Sequence, residues 1–176
     1  MMDDGLVAAL RADDEVGIQQ ALDGAPREGS WRWGFWAIDR DEGLRLVRRG
    51  GLATRVALAR HPDGRVREAA VRALVPDGGA TLLALLRRAN DWVPAVARLA
   101  QERTIASIAL ADHADLVFAL PLVVDLTRQH RADHALLISS YRKEVARRTG
   151  LAARLRQAYH EGDLGLWTFR NLVGED

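Results

Sequence analysis

Cysteine is absent from the 176 residues, so disulfides, thiol nucleophiles and Cys-based zinc sites are excluded. Lysine occurs once, at Lys143, against 24 arginines, a bias of the kind a GC-rich bacterial genome imposes on its codons. Long apolar runs are also missing. The longest, Leu116 to Val124, contains Pro121 and falls far short of the roughly 20 residues that span a bilayer. The N-terminus Met1-Met2-Asp3-Asp4 is acidic and lacks the basic start and apolar stretch of a signal peptide. These absences set the expectation of a soluble, cytoplasmic protein with no membrane partner. Alternating β patterns are nearly missing too.

What is present is ordinary globular material. Apolar residues make up 48% and charged residues 28%, which leaves no room for global disorder and suits one domain over 1–176. Apolar positions recur at helical spacing in Val66, Ala69, Ala70, Ala73 and Leu74, and in Val93, Val96, Ala97 and Ala100. Leu137, Tyr141 and Val145 continue the pattern. Gly50-Gly51, Pro62-Asp63-Gly64, Pro76 to Gly79, Asn90-Asp91, Gly150 and Gly162-Asp163 supply the stops and caps. The spacing predicts an all-α chain of about ten short helices.

Short helices in series invite a search for repeats. A shift of 27 residues superposes 51–73 on 78–100, pairing Gly51 with Gly78, Thr54 with Thr81, Leu58 with Leu85 and Arg60 with Arg87. In the second helix the same shift pairs Val66 with Val93, Ala70 with Ala97 and Ala73 with Ala100. Helices over 51–60 and 64–75 are therefore expected, repeated by 79–89 and 92–102. Alanines at the seam permit close approach of the helices.

The stretch from Asp63 through Val66-Arg67, Ala70 and Ala73-Leu74 resembles the second helix of HEAT-like repeats, including the short bacterial kind. The clearest repeats are 51–77 and 78–104, with 1–50 and 105–176 as degenerate repeats or end caps. In the second unit Pro94 and Asn90 stand in place of Arg67 and Asp63, so the likeness there rests on apolar positions. The resemblance implies a right-handed α-solenoid, capped at both ends, that binds a protein partner through one face. It implies no chemistry.

Net charge is +1, yet charge is segregated. Residues 1–44 carry ten acids against four arginines, and 45–72 carry eight arginines against Asp63 and Glu68. Such a basic block either binds phosphates or is satisfied by the acidic block of its own fold. With Val66, Ala69, Ala70 and Ala73 inward, Arg65 and Arg72 share an outward stripe, and Arg60 and Arg87 mark its edge. Arg60, Arg65, Arg72 and Arg87 are the candidate basic patch, and binding of nucleic acid through them is the alternative to protein binding.

The candidate partner-binding residues are aromatic. Trp31-Arg32-Trp33-Gly34-Phe35-Trp36 holds four of the ten aromatics. In a helix capped by Ser30, Trp31, Phe35 and Ile38 fall on one face, and Trp33, Trp36 and Arg40 nearly opposite. The first face reads as core, while Trp33, Trp36 and Arg40 can anchor a partner. Trp92, in a repeat turn, joins them. Asp91-Trp92 is similar to the aspartate and tryptophan combination of HEAT-like bacterial alkylpurine DNA glycosylases. The simpler expectation is that Asn90 or Asp91 caps a helix and Trp92 staples its first turn, and glycosylase activity ranks a distant third.

No catalytic constellation emerges. His130 and His134 are spaced i, i+4, but Arg131-Ala132-Asp133 between them lacks the glutamate of the zinc-protease pattern. Asp133 reads as an N-cap that leaves His130 outside the helix, so no metal is expected. Asp112-His113 and Asp115 read as turn and capping residues. Ser139-Ser140 has no evident base, and Gly78-Gly79 lacks the Lys-Ser/Thr of a phosphate loop. Neither a catalytic residue nor a cofactor is expected.

Overall fold

The computed structural model describes residues 3–23 and 34–160. The described residues are helical, with no strand among them. The chain divides into two compact units, residues 1–75 and 76–176. Ser30 and Trp31, and the stop expected at Gly162-Asp163, lie outside the described residues.

In the first unit α1 (Asp3–Ala12) and α2 (Glu15–Asp23) are followed by a 3-10 turn (Gly34–Ala37), α3 (Arg40–Arg49), α4 (Leu52–Leu58) and α5 (Gly64–Ala73). Two of these helices begin or end for a visible reason in the sequence. Asp13 takes a left-handed conformation, φ 54°, which a short polar side chain tolerates, and this stops α1. Its carboxylate accepts from the Gly51 amide at 3.2 Å and the Thr54 hydroxyl at 2.7 Å, tying the end of α1 to the start of α4. Asp39 caps α3 by accepting from the Glu42 amide, with Asp41 and Glu42 in the first turn and Arg48 and Arg49 in the last. That charge order complements the helix dipole. Gly43 lets α3 and α5 approach closely, since a Cβ there would lie 3.0 Å from both Val66 methyl groups.

Helix α2 packs on α1 and on α4, and α3 packs on α4 and on α5. The core holds Leu10, Ile18, Phe35, Ile38, Leu46, Leu58, Val66, Ala70 and Leu74. Phe35 and Ile38 are thus structural, as expected from the sequence. The expected helix running from Ser30 through Arg40 is not what forms: the described part is a 3-10 turn, and α3 starts afresh at Arg40 behind the Asp39 cap. Asp39 competes for the local amides and ends the preceding turn.

The second unit consists of α6 (Gly79–Arg88), α7 (Pro94–Leu110), α8 (His113–Thr127), α9 (Ala135–Arg147) and α10 (Leu151–His160). Helix α6 packs on α7 and α8, α7 also on α9, and α10 on α8 and α9. Leu82, Leu86, Ile108, Leu116, Leu120, Val123, Leu137, Tyr141 and Leu155 form one continuous core. The Tyr141 hydroxyl is buried and donates to the Leu116 carbonyl at 2.5 Å, and burial pushes the phenol well above its ordinary range. Asp112 and Asp115 form a reciprocal capping box at the start of α8, the role their spacing suggested. Among the described residues no helix is long and apolar enough to cross a membrane.

The two helical pairs α4–α5 and α6–α7 do not keep one sequence offset. Their first helices start 27 residues apart, at Leu52 and Gly79, and their second helices start 30 apart, at Gly64 and Pro94. The difference lies in α6, which has ten residues where α4 has seven. Burial follows the larger offset in the second helix: Val66 and Val96, Ala70 and Ala100, Leu74 and Thr104 are all fully buried. Val93 and Ala73, by contrast, are only half-buried. The pairing of Val66 with Val93 and of Ala73 with Ala100 is therefore corrected, and Ala97 rather than Pro94 is the counterpart of Arg67. Arg60 and Arg87 are not equivalent either: Arg60 lies in the turn past α4, whereas Arg87 is still inside α6.

Candidate functional site

The candidate residues sort by unit. In the first unit, Trp33 lies outside the described residues, and of Trp36 only the backbone is described, within the 3-10 turn. Arg40 donates from Nε to Asp63 Oδ2 at 2.8 Å, while Asp63 Oδ1 accepts from the Arg65 and Val66 amides and so caps α5. Burial raises the Asp63 carboxyl pKa, but Arg40 and the two amides outweigh it and hold the pKa below the usual range. Arg40 thus ties α3 to the start of α5, a structural duty the sequence did not suggest.

The basic block is largely used by its own neighbourhood. Arg72 pairs with Glu68 at 2.8 Å. Arg49 donates to the Arg11 carbonyl, and Arg55 to those of Val47 and Ala73. Arg67 is wholly buried and donates to the His61 and Pro62 carbonyls. Of the N-terminal acids, Glu42 pairs with Arg11 at 2.7 Å, inside the acidic block itself. The block is therefore satisfied mainly by backbone carbonyls and helical neighbours, and in part by the acidic block. After the Thr54 hydroxyl and Gly51 amide, Arg49 and Arg55 help lower the Asp13 carboxyl pKa, and after Arg11, Arg45 helps lower that of Glu42. Arg65 is exposed at the start of α5, and Arg45 and Arg48 are exposed on α3. These three side chains make no ion pair among the described residues.

His61 was not singled out in the sequence, yet it organises the α4–α5 turn. Its Nδ1 accepts from the Asp63 amide at 3.0 Å, so Nε2 carries the proton and donates to the Ile38 carbonyl at 3.0 Å. Phe35 meets its ring edge-on, with centroids 5.5 Å apart. Burial lowers its pKa and keeps it neutral.

In the second unit the geometry converges on the α6–α7 turn. Trp92 keeps 56% of its surface exposed. Val93 is the N-cap of α7 and Pro94 opens the helix, so Trp92 immediately precedes the cap and lines the same cleft as Ala97 in the first turns of α7. Asp91 does not cap the helix in the usual way. Its buried carboxylate accepts from the Val93 amide at 2.9 Å and from Arg88 at 3.3 Å, fixing the turn from within. His134, buried just before α9, completes the frame. The Gln101 amide donates to the Ala89 carbonyl and lies 3.3 Å from His134 Nδ1, leaving Nε2 to donate to Asn90 Oδ1 at 3.2 Å. Burial lowers the pKa of His134. His130 sits in the exposed loop between α8 and α9, so the two histidines share no helix face. Among the described residues no group of three His, Cys, Asp or Glu is placed to hold a metal ion.

These residues wall a cleft of about 550 Å³, lined by Trp92, Pro94, Ala97, Arg98, Gln101 and Arg131 together with Asp91, Ala132 and Asp133. A second cleft of about 860 Å³ shares Arg131, Ala132 and Asp133 and continues along α9 past Ile138 and Arg142. The volumes are those of ligand or peptide clefts rather than of packing defects. Trp92 was foreseen as a candidate. Arg98 and Arg131 were not, since they belong to no motif and meet Trp92 only through folding. Comparison of the chain with protein-family models, with curated proteins and with solved structures returned no match.

Proposed function

We propose that the chain is a HEAT-like α-solenoid module that acts without chemistry of its own, by binding a protein partner. Support for the solenoid comes from packing within each unit. Helices touch their next-but-one neighbours, α2 on α4 and α3 on α5, and likewise α6 on α8 and α7 on α9. Stacked helical pairs produce such a pattern. The observation that carries the binding reading is Trp92, more than half exposed on a turn immobilised by Asp91, Asn90, Gln101 and His134. A large exposed indole on a rigid frame gains little for folding and much for association, because little ordering remains to be done on binding.

A photo-crosslinking amino acid at position 92 tests this in cells of the native host, with the exposed Lys143 position as control. Discrete protein adducts at 92 and not at 143 are the expected result. No protein adduct at 92, with full expression and normal thermal stability, overturns the reading.

A second reading is favoured by one observation, the exposure of Arg45, Arg48 and Arg65 without ion-pair partners among the described residues. It assigns that face to a nucleic-acid backbone. Binding to a duplex oligonucleotide should then fall steeply with salt, and Arg45→Gln with Arg65→Gln should flatten the slope by about one for each phosphate no longer neutralised. Salt-independent or absent binding removes it.

A further inference from the structure

We propose that the Trp92 cleft docks an acidic, extended segment of the partner protein, with an apolar side chain seated on the indole and carboxylates on Arg98 and Arg131. The proposal rests on the protein-binding reading above and names the chemistry of the partner.

Charge is the first argument. The cleft is lined by two acids and two arginines. Asp91 is buried and paired with Arg88, while Asp133 is exposed and keeps its charge, leaving one net positive charge. The Asp91 side chain has no exposed surface and is held by Arg88 and the Val93 amide. Asp133 Oδ1 accepts from the Ala135 amide at 2.9 Å at the start of α9. Arg98 and Arg131 are exposed and form no hydrogen bond or ion pair among the described residues. What the cleft offers to an incoming ligand is therefore cationic. Guanidinium groups with their donors unused match carboxylates in a two-pronged geometry.

Shape is the second argument. Trp92, Pro94 and Ala97 supply an apolar floor, and the neighbouring cleft prolongs the track across Arg131 to Asp133. A single small molecule has no use for the prolongation, whereas an extended chain does. Rigidity is the third. The Asn90–His134–Gln101 contacts hold the α8–α9 loop, which carries Arg131, against the α6–α7 turn, which carries Trp92. Both halves of the recognition surface are thus preset.

The test is titration of the isotope-labelled full chain, followed by NMR, with four probes of equal length. These are a glutamate-rich peptide with one central leucine, the same peptide with glycine for leucine, its lysine counterpart, and oligothymidylate. The expected result is saturable shifts of the Trp92 indole N–H by the first probe. Affinity should drop at least tenfold with glycine for leucine, with Trp92→Ala, or with Arg98→Glu combined with Arg131→Glu. Arg87→Glu, exposed and outside the cleft lining, should leave it unchanged. Thermal melts establish that the variants fold, and the exposure of all four residues makes that outcome expected. Equal binding of the lysine peptide, tighter binding of oligothymidylate, or no shift at Trp92 overturns the proposal. If these fail while position 92 still crosslinks to protein in cells, the partner chemistry is wrong and the interaction module stands. If both fail, the module reading falls as well.

Discussion

Arg67 Nη1 donates to the carbonyl oxygens of His61 at 2.9 Å and of Pro62 at 2.8 Å, so a charged side chain with no exposed surface joins α5 to the turn before it. Carbonyls at a helix–helix turn have no helical donors, and the two N–H groups of Nη1 supply both from one nitrogen. Arg67→Ala leaves both carbonyls unsatisfied beside a cavity and should cost about 2–4 kcal/mol. Arg67→Lys should recover only part of that loss, since the lysine side chain is shorter and its more strongly hydrated ammonium costs more to bury. Chemical denaturation measures both; equal stability of wild type and Arg67→Ala would show that the interaction is incidental.

The offset between the two helical pairs is testable by volume. Ala70 and Ala100 are fully buried and Ala73 is not. Ala70→Leu and Ala100→Leu should each cost about 1–3 kcal/mol through overpacking, and Ala73→Leu clearly less. Melting temperatures that group Ala73→Leu with Ala100→Leu would restore the 27-residue pairing.

Two buried imidazoles set a pH limb. Burial lowers the pKa of both His61 and His134 from 6.5. Above that value both are neutral in folded and unfolded chains. As pH falls through it, the unfolded chain binds protons that the folded chain refuses, so stability declines until the depressed folded values are passed. Urea midpoints should therefore fall as pH drops through about 6.5, and His61→Gln with His134→Gln should flatten that limb. A limb unchanged in the double variant would assign the protons elsewhere.

A second limb lies lower. Hydrogen bonding by Arg147 holds the Glu144 carboxyl below its ordinary value, and Arg148 assists while donating onward to the Ile108, Ala109 and Ala111 carbonyls at the end of α7. The stability this gives is present above about 4.5 and is lost as pH falls through the folded pKa. Glu144→Gln should lower the melting temperature at neutral pH and weaken the acid dependence below about pH 4.5. No change at either pH would remove Glu144 from the account.

Helix content was legible because apolar spacing and caps are local signals: Asp63 and Asp112 start helices where their sequence context says they should. The boundaries of α6 and α7 were less legible. Ala84-Leu85 matches Ala57-Leu58 in sequence, but nothing local tells whether a helix stops soon afterwards or continues a further turn. The buried polar residues were hidden for another reason. His61, Arg67 and His134 are stabilised by carbonyls and amides brought to them by folding, and residue type alone points such side chains outward. The same holds for the cleft, since Arg98 and Arg131 lie 33 residues apart and only the loop before α9 places them beside Trp92.

The three additional residues of α6 bear on how such a chain tolerates insertions. Three residues advance a helix by about 300° and roughly 4.5 Å, nearly a full turn, so the side chains beyond them point almost where they did before. One or two residues would turn the buried stripe by about 100° or 200° and carry polar groups inward. Length variation in these helices is therefore expected in steps of three or four. Deleting Leu86-Arg87-Arg88 as a block removes a core leucine and the Arg88 contact to Asp91. By keeping the helical phase it should nevertheless lower the melting temperature less than removing Arg87 alone.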